Sequence, residues 1–246
     1  MSKILSGAPQ IFDLNPYATT SVQEHPLGTL AMARNGDLYR YAKINSTASD
    51  LIAGNLQVSL GREGNHQNVA LSAAAVVGDT LVIPTMGATA VDANEYDEGI
   101  LVFNDVSPEG EIYTVTSHEA NAGSLATDVN IAPGLLTAAT TSSEVSLVRN
   151  PWNNPAISQL IAERPAGVSI VDWDVSVANF GWLKTRGLAS VLQDTTGITV
   201  GFKATISNET NGAVGLYSDV DAEFEVGQMM ATGTATEFNP IWLTID

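Results

Sequence analysis

Asn55-Leu56-Gln57-Val58-Ser59-Leu60 sets an apolar residue at every second position, and a strand sends alternate side chains to opposite faces. The stretch therefore reads as a half-buried strand. The same period runs through Val171, Trp173, Val175 and Val177, through Ile198, Val200 and Phe202, and through Ile241, Leu243 and Ile245. Between such runs stand Asn35-Gly36-Asp37, Gly78-Asp79, Pro108-Glu109-Gly110 and Asn211-Gly212, which suit turns because Gly and Asn tolerate positive φ. Many short strands with frequent turns predict an all-β sandwich or barrel. Helical signals are thin. Ile157, Leu160 and Ile161 are spaced for one or two helical turns before Pro165, and the short, Ala-rich run from Val69 to Val77 reads equally as strand or short helix.

The 246 residues suffice for one large all-β domain or two small ones. With 44% hydrophobic and 15% charged residues, the chain fits neither a disordered acidic polymer nor a coiled coil. No apolar run approaches the roughly 18–20 residues of a membrane-spanning helix, and the opening Met1-Ser2-Lys3-Ile4-Leu5-Ser6-Gly7 lacks a signal peptide's apolar stretch. The expectation is a soluble protein made in a cytoplasm, with no membrane partner. Ten Lys and Arg against 27 Asp and Glu give a net charge of −17, a field that repels phosphate backbones, so no nucleic-acid partner is expected. Without cysteine there is no disulfide, thiolate nucleophile, iron–sulfur cluster or zinc ribbon.

Charge and pattern divide the chain. Residues 1–62 carry net +1, residues 63–165 net −11 and residues 166–246 net −7. Residues 1–24 hold Pro9, Pro16 and scattered Ile11, Phe12, Leu14 and Tyr17 without a sustained period. They read as an extended N-terminal arm whose apolar residues dock on something.

Motifs for chemistry are sparse. His25, His66 and His118 lie about 40–50 residues apart, without the spacing of a helical metal motif. They read as isolated surface or turn residues. The chain has no G-x-S-x-G elbow, Walker A loop or G-x-G-x-x-G turn. Asp194-Thr195-Thr196-Gly197 differs from an aspartic-protease loop by an additional Thr and has no second copy, so it reads as a turn. Asp219, Asp221, Glu223 and Glu225 would align on one strand face, with Phe224 and Val226 inward. As a calcium loop they fail, because the sixth position is Phe224 and the twelfth Met230. No catalytic residue, cofactor or metal site is assigned.

Pro26-Leu27-Gly28-Thr29, then Asn35-Gly36-Asp37-Leu38-Tyr39-Arg40-Tyr41-Ala42-Lys43 and Ala53-Gly54-Asn55-Leu56, resembles a recurring segment of tailed-bacteriophage virion proteins. Phe180-Gly181-Trp182-Leu183-Lys184-Thr185-Arg186-Gly187-Leu188-Ala189 is a second matching stretch. A third runs from Val226-Gly227-Gln228 to Ile241-Trp242-Leu243-Thr244-Ile245. Together, over about half the chain, they are similar to the small β-barrel decoration, or cement, proteins on the outside of phage capsids. The resemblance implies a small β-barrel built from residues 25–62 and 166–246, with residues 63–165 inserted as a second, acidic β-rich domain. It also implies a non-enzymatic structural protein on the outer surface of the virion. Its partners would be the major capsid protein and two further copies of itself, in a homotrimer at local threefold positions. On that expectation Ile11, Phe12, Leu14 and Tyr17 anchor the arm to the shell and the acidic insertion faces outward. The alternatives are a carbohydrate- or host-binding virion module using Trp152 or Trp173 as a stacking platform, and a β-fold enzyme with a carboxylate site.

Overall fold

A computed structural model describes residues 15–44, 51–158, 164–173, 180–218 and 223–246. They form an all-β protein of two units, each a curled antiparallel sheet shaped as a half-barrel. The first unit takes the described residues up to Leu60 and from Asn154 onward; the second is Gly61–Asn153. In chain order, β1 (Leu30–Met32), β2 (Leu38–Lys43) and β3 (Leu56–Val58) belong to the first unit. The second holds β4 (Val69–Ala70), β5 (Leu81–Val82), β6 (Ile100–Asp105), β7 (Ile112–His118), β8 (Val129–Ala132) and β9 (Glu144–Val148). The chain then returns to the first unit with β10 (Ala156–Ile157), β11 (Pro165–Ser169), β12 (Phe180–Leu192), β13 (Lys203–Ile206), β14 (Val214–Leu216), β15 (Gly227–Met229) and β16 (Phe238–Thr244).

Strand β12 is the spine of the first unit. Its first half pairs with β2, Phe180 opposite Lys43, and with β11, Val168 opposite Lys184. Its second half pairs with β16 from Arg186 opposite Thr244 to Leu192 opposite Phe238. The sheet continues through β15, β13 and β14 and curls back until Gln193 bridges Val214. Leu56, Val191, Ile206, Val226, Ile241 and Leu243 are among the residues sealed inside; each buried aliphatic side chain contributes about 1.5–3 kcal/mol. A smaller aromatic core of Tyr39, Tyr41, Phe180 and Trp182 lies on the β2 side.

The second unit orders its strands β4-β9-β6-β7-β8-β5 around Tyr96, Leu101, Phe103, Val115, Ile131 and Leu147. Leu71 bridges Pro84, so its two edges also meet. The turns at Asn35-Gly36, Pro108-Glu109-Gly110 and Asn211-Gly212 join β1 to β2, β6 to β7 and β13 to β14, with Gly36, Gly110 and Gly212 at positive φ.

Several elements differ from the sequence reading. Residues 154–158 and 164–165 belong to the first unit, where β10 and β11 both pair with β3. That pairing also makes Ala156–Ile157 a strand instead of a helix; residues 159–163 lie outside the described residues. Gln57 is buried like Leu56 and Val58, so both faces of β3 are covered. Ile198 is buried but Val200 and Phe202 are exposed, in a loop and turn held by Gly233 N–H on Ile198 O. Val171 and Trp173 follow β11 in a bend, with Trp173 N–H donating to Leu51 O; residues 174–177 are outside the described set. The run from Val69 contributes only the short strand β4 and the isolated bridges of Leu71 and Ala75.

Candidate functional site

The outward positions of β12 and β16 form one surface. Arg186, Leu188, Ser190 and Leu192 stand opposite Thr244, Trp242, Pro240 and Phe238, and Gln228 of β15 lies beyond Trp242. Cross-strand partners share a face, so Leu188 (52% exposed), Trp242 (43%) and Phe238 (49%) present their apolar surface together. Arg186 is exposed at the end of the row, and its guanidinium makes no hydrogen bond or ion pair with the described residues. Arg40, Lys184 and Lys203 of the same unit are each paired with a carboxylate.

Beside this row opens a cleft of about 400 Å³, with Tyr17, Asn35, Tyr39, Lys184, Leu188 and Phe238 in its walls. The Phe238 ring lies over Gly54, where a Cβ would come within 2.5 Å of it. The cleft floor is an ion pair: Lys184 Nζ donates to Asp37 Oδ2 at 2.5 Å and to Leu188 O at 2.5 Å, and stands 5.7 Å from the centre of the Tyr39 ring. Asn35 Nδ2 donates to the same carboxylate oxygen at 2.9 Å. Burial, then the negative charge of Asp37, pushes the Tyr39 phenol up to about 12. Gly187, at φ +101°, lets β12 approach; a Cβ there would lie 1.8 Å from Asp37 Oδ1. With its ammonium committed to two acceptors and a ring, Lys184 fixes the β1–β2 turn against β12.

Of the arm residues expected to dock, Tyr17 stands 64% exposed at the cleft; Ile11, Phe12 and Leu14 lie outside the described residues. The described part of the arm is held on its own sheet. Thr20 and Phe180 exchange backbone hydrogen bonds at 2.9 and 3.0 Å, and Glu24 N–H donates to Tyr41 Oη at 3.0 Å. Trp173 is buried, so it offers no stacking platform. Asp194 does form a turn, its Oδ1 accepting from Thr196 N–H at 2.9 Å and its Oδ2 from Ser207 Oγ at 3.2 Å. In the acidic set, Glu225 pairs with Lys203 at 2.7 Å and Glu223 accepts from Ser218 N–H at 2.7 Å. Phe224 is exposed instead of inward, because Glu223 to Val226 is irregular chain; Asp219 and Asp221 are outside the described residues.

The histidines are not all isolated. His66 and His118, 52 positions apart, both touch Tyr96: His66 Nδ1 lies 2.5 Å from Tyr96 Oη, and His118 Nε2 lies 2.9 Å from Tyr96 N. Linear spacing could not show this, because the contacts are side-chain hydrogen bonds between a short turn at His66, the turn that carries Tyr96 and the end of β7; the alternation ahead of His118 in Tyr113 and Val115 was the available signal for a buried strand. His25 sits apart, against Tyr41 and Trp182. Among the described residues no three His, Asp or Glu side chains gather as a metal site.

No family model, curated protein or solved structure matches this chain.

Proposed function

We propose that this chain is a structural virion protein that binds the major capsid protein on the outer surface of an assembled phage shell and stabilises it as a cement or decoration protein. The carrying observation is the solvent-facing row of Leu188, Trp242 and Phe238 with the unmatched Arg186. Leu188 and Trp242 come from two of the segments that resemble decoration proteins. Trp and Arg are the side chains that most often anchor protein interfaces, and the exposed Arg186 guanidinium offers a local partner to a carboxylate of the shell. Binding the assembled shell in preference to separate subunits would stabilise it by mass action. The test is occupancy on undecorated capsids. Leu188→Asp with Trp242→Ala should abolish it while the melting temperature holds; unchanged occupancy would sink the reading.

Self-association into a homotrimer is part of the proposal. In the second unit Val76, Val77 and Leu136 are between 63% and 70% exposed. They are neighbours, since Gly78 N–H donates to Leu135 O at 2.8 Å and Leu135 N–H to Asp79 O at 2.9 Å. This apolar patch, edged by the Asp79 carboxylate that accepts from Val76 N–H at 2.8 Å, lies on a unit with two basic and twelve acidic residues, where the apolar patch of another copy offers a matching surface.

A second reading, carbohydrate binding, is favoured by the cleft, where the exposed rings of Tyr17 and Phe238 flank the polar Asn35 and Ser190. Tyr17→Ala with Phe238→Ala would lower glycan binding on that reading.

A further inference from the structure

Tyr96 is fully buried in the second unit and is held at both ends by an imidazole. His118 Nδ1 lies 3.1 Å from Glu119 O, which can only accept, so Nδ1 carries the proton and Nε2 receives the Tyr96 N–H. His66 Nε2 lies 3.2 Å from Thr89 O and its Nδ1 2.5 Å from Tyr96 Oη. The His118 ring is therefore neutral, its only lone pair used on the Tyr96 amide.

The backbone of His118 clips the same loop. Asn94 N–H donates to His118 O and His118 N–H to Asn94 Oδ1, both at 3.1 Å. From the other side Asn153 Nδ2 donates to Asn94 O, Glu95 O and Asp97 O, and Arg149 pairs with Glu95 while facing the Tyr96 ring at 5.6 Å.

We infer that His118 forms an acid-operated latch on the loop that carries Tyr96. Protonating His118 Nε2 turns its acceptor into a donor aimed at the Tyr96 N–H, which leaves a buried amide without a partner and a cation in the core. The charged groups around the pair act in opposite senses. Burial lowers the His118 pKa most, the carboxylates of Glu95 and Asp97 raise it, and His66 lowers it again, with the balance below the ordinary 6.5; Glu63 also faces His66. A lowered folded-state pKa means that the latch is fully closed above about 6.5 and loosens as pH falls through the folded value.

The experiment follows the Tyr96 amide by hydrogen exchange, corrected for intrinsic rates, alongside the His118 ring resonances by NMR in the intact protein. Between pH 7.5 and 5.0 the Tyr96 protection factor should fall about tenfold or more, in step with the His118 titration, while amides of β12 hold theirs. His118→Gln, whose amide can accept from Tyr96 and does not titrate, should flatten that dependence. Constant wild-type protection across this range would overturn the latch, as would an unchanged acid response in a folded His118→Gln protein. If the variant does not fold, a wild-type His118 that titrates at or above 6.5 without Tyr96 following it would overturn the latch equally.

Discussion

Trp173 fills the space that Gly181 leaves open: a Cβ on Gly181 would lie 2.6 Å from the indole, whose ring is 6% exposed. The glycine is therefore required by a neighbouring ring and not by a turn. Gly181→Ala should push the indole toward water, red-shift tryptophan emission and destabilise the first unit by about 1–3 kcal/mol, as overpacking does. Unshifted emission would show that the strand gives way instead of the ring.

The ion pair under the cleft is buried on both sides, with side-chain exposures of 7% for Lys184 and 12% for Asp37. Removing either partner strands a charge, and Asp37→Ala should cost about 3–5 kcal/mol by denaturant titration. The double variant Asp37→Leu, Lys184→Met should recover most of that loss, because a buried apolar pair is often as stable as the ions it replaces. Equal losses in single and double variants would mean that packing, and not charge, holds the β1–β2 turn.

Tyr39 gives the first unit a stability contribution that fades at alkaline pH. Its folded-state pKa of about 12 exceeds the ordinary 10, so the folded protein keeps a proton that the unfolded chain releases. The Tyr39 contribution is complete below about pH 10 and declines as pH rises toward 12. Melting temperatures of Tyr39→Phe, measured from pH 9 to 11.5, should fall less steeply than those of the wild type.

Self-association through Val76, Val77 and Leu136 brings like-charged copies together, so added salt should strengthen it by screening. Light scattering after size exclusion at 50 and 500 mM NaCl should show a larger trimer fraction at the higher salt, and Val77→Asp should remove it at both. Association that weakens with salt would indicate ion pairs at the contact.

The arm divides into two tests. Deleting residues 1–14 should leave the melting temperature unchanged and lower capsid occupancy if Ile11, Phe12 and Leu14 anchor the protein. Extending the deletion to residue 24 also removes the Thr20–Phe180 bridge and the Glu24–Tyr41 hydrogen bond, and should lower the melting temperature by about 2–4 °C for each kcal/mol lost.

The all-β class was legible in the alternation of Ile241 and Leu243, which became β16, and in turns such as Asn35-Gly36 and Asn211-Gly212. Alternation misled at Ile198–Phe202, because period two marks which residues alternate and not whether a partner strand lies alongside. The helical spacing around Ile157 lost to the hydrogen bonds offered by β3. The row of Leu188 and Trp242 was hidden for a related reason: each residue is visible in its own strand, but their opposition depends on a register spanning 54 positions. The contact of Tyr96 with two distant histidines was hidden because it joins turns that only the folded second unit brings together.

Val58 and Ala156 are register partners on β3 and β10, although 97 residues separate them. Topologically the second unit is the tip of a hairpin. Closing a loop of that length through an unstructured chain costs entropy that grows as about (3/2)RT ln n. If Gly61–Asn153 folds first and presents its two ends together, the effective loop shrinks to about ten residues and the cost of joining β3 to β10 drops by about 2 kcal/mol. The insertion would then act as an internal splint, and its completion would pace the assembly of a sheet to which it contributes no strand.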